Sequence, residues 1–341
     1  MNNSMDEETL NNSQKINQNF SKIGIINYEL NCNMSSVIQN LKNISIFTSQ
    51  ILKNKNLNDK IFISFQKLLN NLLNSKLQNV SLLEFKKEFS QIHKIFEGRK
   101  QNDSVCFLIY LINSLHKTFN IVNKINTSKY FECLKLKNNE KIKLNKFLDS
   151  YENKNNSFIH DLFYGYQMFR LTCSNCNRYD VIFQSFNILD IPLMDDENEL
   201  NNLIQCINTF LYTRTNQSNG FECSNCKSNN ISYSSSIIYF PKILIINLKR
   251  LGENNIIYDH NVEFPEILET NKIDKLKYFN YKYKLTGFIR HLDYGNRKGH
   301  NIAYLKDIIN NEWYEFNDER VKFVRKISYN DVILLFYEII E

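Results

Sequence analysis

Two cysteine pairs, Cys173 with Cys176 and Cys223 with Cys226, each enclose the same dipeptide, Ser-Asn, and 46 residues separate one pair from the other. A CSNC knuckle holds two thiols on one tight turn. Two such knuckles complete a tetrahedral S4 shell around zinc, with metal to sulfur distances of about 2.3 Å. Whatever fold the chain adopts must therefore bring the segments near residues 175 and 225 together, and one structural zinc is the expected cofactor. The other reading of a CxxC pair is a redox site. Cys106, Cys133 and Cys206 stand apart from this pattern and read as ordinary interior or surface residues.

With 341 residues, 43% hydrophobic and 13% aromatic, the chain has material for a large core. No apolar run approaches the length of about 20 residues that spans a bilayer. The N-terminal MNNSMDEETLNNSQ has neither the basic start nor the apolar stretch of a secretory signal. A cytosolic or nuclear location is expected, without a membrane partner, and there a disulfide framework is not. The net charge of +6 accompanies a composition rich in Asn, Ile and Lys, with Ala303 the only alanine. The lysines are scattered among acidic residues as on a solvated surface, so nucleic acid is not an expected partner.

Residues 1 to about 20 are polar, Asn-rich and without periodicity, the pattern of a disordered tail. From Cys32 to about 120 the pattern is helical, with apolar stripes at Ile61, Phe65, Leu68, Leu69 and Leu72 and at Val105, Leu108, Ile109, Ile112 and Leu115. Residues 121 to 157, rich in Lys and Asn, read as a connection with an exposed loop. Beyond them, YDVIFQSFNILDIPL, ISYSSSIIYF, KILIINLKRL and YKYKLTGFIRH read as strands. The continuous apolar run VILLFYEII reads as a central one. Helices first and strands later indicate an α+β architecture.

Chemistry is expected where a polar, strand-like segment meets a helix, in GIINYELNCNMSSVIQNL at 24–41. Met34, Val37, Ile38 and Leu41 fall at helical spacing, so the helix begins at or next to Cys32. Unpaired backbone N–H groups and the positive dipole end of its first turn favour a thiolate. A nucleophilic cysteine also needs a general base, and that base needs a third group to fix its tautomer. Near the end of the chain, HLDYGNRKGHNIAYLKDIINNEWYEFNDERV supplies His300, with Asn317 and Asp318 after an aromatic run. Taken singly, a cysteine is usually a small buried hydrophobe and a histidine a buried residue bonded to a carbonyl.

Five motifs in order carry a resemblance to a known family. They are the cysteine motif at 24–41, QNDSVCFL at 101–108, HDLFYGYQMFRLTCSNC, then FECSNCKSNN with FPKILIINLKRL, and finally YKLTGFIRHLDYGNRKGHNIAYL with WYEFNDERV and a terminal LLFYE. The chain resembles the ubiquitin-specific proteases from about Gly24 to its C-terminus. The resemblance implies a papain-like cysteine protease fold with thumb, palm and zinc-bearing fingers. A tail would occupy 1–20 and the catalytic domain 21–341, the thumb at about 21–157 and the fingers and palm at about 158–341.

It also implies roles. Cys32 would be the nucleophile, His300 its base and Asn317 the third member, with Asp318 as the fallback. Asn27 would donate to the oxyanion. Asp103 would contact the basic tail of ubiquitin, and Gly299 would admit a narrow Gly-Gly tail. Zinc on Cys173, Cys176, Cys223 and Cys226 would brace the fingers. The expected activity is hydrolysis of the isopeptide or peptide bond after ubiquitin's terminal glycine, with ubiquitin or ubiquitinated proteins, and an unidentified regulatory protein, as partners.

Departures surround the nucleophile. Glu29 replaces a family glycine, Leu30 an asparagine, Asn31 a threonine, and Asn33 and Asn301 each a tyrosine; Val105 and Cys106 replace His and Glu. Strain is expected at Glu29, where glycine marks an unusual backbone conformation. The rival readings are a catalytically weak or inactive ubiquitin-binding pseudoprotease of the same fold, and a zinc-ribbon module binding nucleic acid.

Overall fold

The computed structural model describes residues 20–28, 30–55, 58–121, 136–152, 154–193, 202–212, 214–216, 222–252, 257–293 and 299–340. Glu29, Cys133 and the tail expected over 1–20, apart from Phe20, lie outside them.

Helices dominate the first half: α1 (Cys32–Lys42), α2 (Ser45–Lys53), α3 (Lys60–Asn74), α4 (Leu83–Ile92), α5 (Ser104–Phe119), α6 (Asn138–Glu152) and α7 (Phe158–Phe163), with α8 (Leu203–Leu211) later. Every residue of α1 is buried. Its apolar side joins one core with Phe65, Phe107 and Ile289. Its polar side needs partners in the interior. Gln39 donates to the Ile23 carbonyl, Lys42 to the Ser21 carbonyl, and Asn43, just past the helix, to the Thr286 and Lys306 carbonyls. Aspartates cap two neighbours: Asp59 accepts from the Phe62 N–H and Asp103 from the Cys106 N–H, at 2.8 and 2.7 Å.

The strands are β1 (Gly24–Ile26), β2 (Asn79–Ser81), β3 (Gly165–Cys173), β4 (Tyr179–Phe186), β5 (Leu189–Pro192), β6 (Arg214–Asn216), β7 (Ile231–Tyr239), β8 (Ile243–Lys249), β9 (Ile267–Glu269), β10 (Lys282–Asp293), β11 (Gly299–Asp307), β12 (Glu312–Asn317), β13 (Arg320–Val324) and β14 (Val332–Ile339). An eight-stranded sheet runs β13-β12-β11-β10-β14-β8-β5, with β9 beside β10, and a separate four-stranded sheet runs β4-β3-β7-β6. The large sheet is the palm and packs its own core behind the helices. The small one is the fingers, and the cysteine knuckles lie at its far end. VILLFYEII does form an interior strand, β14, between β10 and β8.

Two expectations give way. The buried stripe of α5 is Ser104, Phe107, Leu108, Leu111, Ile112 and Leu115, while Ile109 is exposed and Val105 half-buried. The apolar residues of this helix cover more than one face, and packing against α1 selects the face that carries the large Phe107. Residues 138–152, read as connection, form α6. Only Leu144 and Leu148 of its apolar residues are fully buried, against β4, and the buried Glu140 pairs with Arg170 across the strands. So sparse a stripe among Lys and Asn has little periodic signal, and docking on the fingers stabilises it.

Candidate active site

Cys32 opens α1 with 4% of its surface exposed. Asn31 precedes it as N-cap without a side-chain cap, and before that Leu30 has φ +57. The left-handed backbone thus falls on Leu30 within the described residues, where the family's asparagine would tolerate it and a leucine is strained by about 1 kcal/mol or more. The amide nitrogens of Asn31 and Asn33, flanking the sulfur, are buried with no partner among the described residues. Each such unpaired group costs about 1–3 kcal/mol.

The palm presents the other half. His300, on β11, interacts with the Cys32 thiol, and its Nε2 meets Asn317 Oδ1 at 2.8 Å. Asp318 Oδ2 is 3.7 Å from the same nitrogen. The Asp318–Glu319 turn closes the β12–β13 hairpin directly after Asn317, with Asp318 at φ +52. It is tied to the nucleophile's approach segment, since the Ile25 N–H donates to the Asp318 carbonyl at 2.9 Å.

Electrostatics favour an ion pair. Burial pushes the Cys32 thiol up, yet hydrogen bonds from His300 and Asn301 outweigh it and hold the thiol below its ordinary range. His300 is pushed up to about 9, chiefly by its hydrogen bond with Cys32, against burial and with help from Asn317. A thiolate facing an imidazolium is the arrangement of an activated sulfur nucleophile. Burial also raises the Asp318 carboxyl, although Asn27 and His300 pull it down.

The remaining candidates have definite places. Asn27 is bracketed: its Nδ2 donates to Asp318 Oδ2 at 2.8 Å, and its Oδ1 accepts from the Asn31 N–H at 2.7 Å. One amide hydrogen is left for a substrate oxyanion. Asp103 lines a cleft of about 440 Å³ with Asp190, Lys249, Arg250, His291 and Asn301. Gly299, expected to leave room for a substrate tail, is half-buried, and a Cβ there would stand 2.3 Å from Cε1 of His291. Gln101 grips the same backbone, donating to the Gly299 carbonyl at 2.7 Å and accepting its N–H at 3.3 Å. Neither His291 nor Gln101 was singled out from the sequence. Their signal was a second histidine in the same GH hairpin and a glutamine opening the Asp103 motif.

At the fingers, the four sulfurs lie within 4.8 Å of one another, with Cys173 to Cys226 at 3.5 Å and Cys176 to Cys223 at 3.6 Å. A tetrahedral zinc shell has sulfur to sulfur edges of about 3.8 Å. The knuckles are near copies: Asn177 and Lys227, at φ +56 and +59, each donate back to the carbonyl of the first cysteine at 2.9 Å. Backbone N–H groups pull Cys223 down to about 6. Cys226 is pulled down by the Ser228 N–H, but its neighbouring sulfurs push it up to about 12. Four thiols this close release all their protons only when a cation shares them, and the set is compatible with a structural zinc.

A helix-borne sulfur facing a strand-borne imidazole, across a cleft between a helical layer and a sheet, is a papain-like architecture. The model of the ubiquitin carboxyl-terminal hydrolase family matches residues 23–337, and the chain belongs to that family. Ubiquitin carboxyl-terminal hydrolase Usp2 of Drosophila melanogaster is 30% identical over 92% of this chain and 34% of its own length. Ubiquitin carboxyl-terminal hydrolase 2 of Gallus gallus is 30% identical over 81% of this chain and 79% of its own. For the Homo sapiens protein of that name the identity is 26%, over 93% of this chain and 55% of its own. The chain therefore spans about a third of the fly relative and about half of the human one. Among solved structures, the SAGA Ubp8/Sgf11/Sus1/Sgf73 DUB module bound to ubiquitin aldehyde shares the fold, with a TM-score of 0.69 at 22% identity over 96% of this chain and 71% of that one. No helix among the described residues is long and apolar enough to cross a membrane.

Proposed function

We propose that the chain is a cysteine-type deubiquitinase that hydrolyses the bond after ubiquitin's C-terminal glycine. The observation that carries this reading is the Cys32–His300–Asn317 set, assembled with its ion pair favoured at the edge of an open cleft. The Cys32 thiolate attacks the glycine carbonyl, and Asn27 with backbone N–H groups of the first helical turn holds the oxyanion. His300 protonates the departing lysine amine. Water, deprotonated by the same imidazole, then hydrolyses the thioester and frees the glycine carboxylate. Asn317 orients His300, and the nearby Asp318 carboxylate steadies its charge.

The fold divides accordingly into the catalytic domain over 21–341, with ubiquitin's tail along the Asp103 cleft and its globular body against the fingers. One zinc on Cys173, Cys176, Cys223 and Cys226 supplies a crosslink between the two knuckles and takes no part in the reaction. Incubation with ubiquitin carrying a C-terminal electrophile, followed by intact mass and peptide mapping, tests the reading. A single adduct on Cys32, absent from Cys32→Ala, is expected. Saturable ubiquitin binding without an adduct or turnover would replace the enzyme with a silent ubiquitin-binding protein.

A further inference from the structure

Asn301 is the residue that follows the histidine of the GH pair, where the family motif has tyrosine. It is 6% exposed, and its side-chain Nδ2 donates to Cys32 Sγ at 3.8 Å. An amide has two ends of opposite sign, so the direction in which this one is held decides whether it stabilises or repels a thiolate. Directly across the β10–β11 register stands His291, whose Nδ1 meets Asn301 Oδ1 at 3.1 Å. An N–H on that ring nitrogen leaves Nδ2 the only end of the amide that can face the sulfur. The ring fits because residue 299 has no side chain: a Cβ would lie 2.3 and 2.4 Å from its Cε1 and Nε2. Gln101 holds the Gly299 backbone from the other side through two hydrogen bonds. The amide of Asn27, by contrast, spends one donor on Asp318.

We infer that Asn301 is a further catalytic residue, donating to the Cys32 thiolate, and that His291 is its positioning residue, seated by Gly299. This inference rests on the proposed function only in taking Cys32 as the nucleophile. A hydrogen bond to the charged form of a thiol increases the fraction of thiolate while lowering the reactivity of each thiolate. The pair thus trades intrinsic nucleophilicity for a sulfur that stays ionised at lower pH.

Among the described residues, the charged and titratable groups around the sulfur and Asn301 are His300 from β11, His291 from β10, Asp318 behind His300, and, lining the cleft with Asn301, Asp103 on the cap of α5, Asp190 of β5, Lys249 of β8 and Arg250 after it. Replacing Asn301 removes none of these groups but takes from His291 its Nδ1 partner, an effect that the His291 variants separate from loss of the amide. The experiment is alkylation of the full chain by iodoacetamide across pH 5 to 10, with the rate at Cys32 followed by peptide mass and folding checked by thermal melting.

In Asn301→Leu the midpoint is expected to rise by about one pH unit; below it the roughly tenfold loss of thiolate, partly offset by the greater reactivity of each thiolate, makes alkylation about threefold slower. Above it, alkylation becomes about threefold faster, because a more basic thiolate is more nucleophilic. Such a crossing of profiles is not produced by general loosening. His291→Leu shifts the midpoint the same way by a few tenths of a unit, and His291→Gln, which keeps a donor, restores it. Superimposable profiles for wild type and Asn301→Leu would overturn the inference. Should Asn301→Leu fail to fold, a His291→Leu profile identical to wild type overturns it instead. A wild-type midpoint near the ordinary 8.5 or so would defeat the activated-cysteine reading itself, a result distinct from either.

Discussion

The molecule gathers reactive sulfur in two places by opposite means. At Cys32 one buried thiol faces the imidazole of His300, and the surrounding groups come from β10, β11 and the last residue of β12, far along the chain. In the fingers, four thiols, two buried, one half-buried and one exposed, sit on two short knuckles whose geometry is almost wholly local. A lone thiolate partnered by a proton donor remains free to attack. Four thiolates need a divalent cation, and once bound they are committed to it. Reactivity of a sulfur thus depends on how many sulfurs share a positive charge.

That contrast can be broken most sharply at the fingers. Cys223→Ser, or removal of metal by a chelator, is expected to melt the knuckles, because structural zinc contributes about 10–16 kcal/mol of apparent binding energy. Hydrogen exchange should rise across Cys173–Cys176 and Cys223–Cys226, while the pH profile of Cys32 alkylation stays in place. A parallel loss at Cys32 would show one coupled unit instead of two.

Next in size is the orienting group. Asn317→Ala should lower kcat/KM for a ubiquitin-derived substrate on the order of 100-fold by letting the imidazole stray. Asp318→Ala should cost less, since its oxygen lies 3.7 Å from the ring nitrogen against 2.8 Å for Asn317. The reverse ranking would make Asp318 the third member.

The ion pair predicts a bell. The active form is thiolate with imidazolium, so kcat/KM should rise as pH climbs through the lowered Cys32 pKa and fall as His300 loses its proton near about 9. Asn317→Ala removes an acceptor for the protonated ring and should move the alkaline limb to lower pH. A profile still rising at pH 10 would contradict the assignment of His300. The smallest expected effect concerns the backbone before the sulfur. Leu30→Asn should stabilise the fold by about 1 kcal/mol, read from denaturant unfolding, because asparagine accepts the left-handed conformation at φ +57 more easily.

Motif residues were the legible part of the site. Cys32 opens its helix as the spacing of Met34, Val37, Ile38 and Leu41 requires, because helical periodicity is local. Asn27 is harder to read, since its donor turns to Asp318, a residue adjacent only after folding. Glu29, where a missing glycine led to an expectation of strain, lies outside the described residues; of its neighbours, Leu30 has a positive φ. Asn301 read as a lost tyrosine and not as a donor, because nothing in HLDYGNRKGHN says that residues 291 and 301 face each other in register.

By itself the sequence determined what is written in short-range pattern: the α+β order of elements, the start of the helix at Cys32, the strand-forming apolar runs and the two metal-spaced knuckles. Each of these depends on residues a few positions apart, where backbone geometry fixes the spacing. Only the tertiary structure decided that His300 and Asn301 close on the same sulfur, that His291 occupies the space over Gly299, and that Phe107 rather than Ile109 faces the core. Those outcomes depend on strand register, on rotamers chosen by packing, and on which end of an amide finds a partner. All three are set by contacts between segments that the sequence keeps far apart.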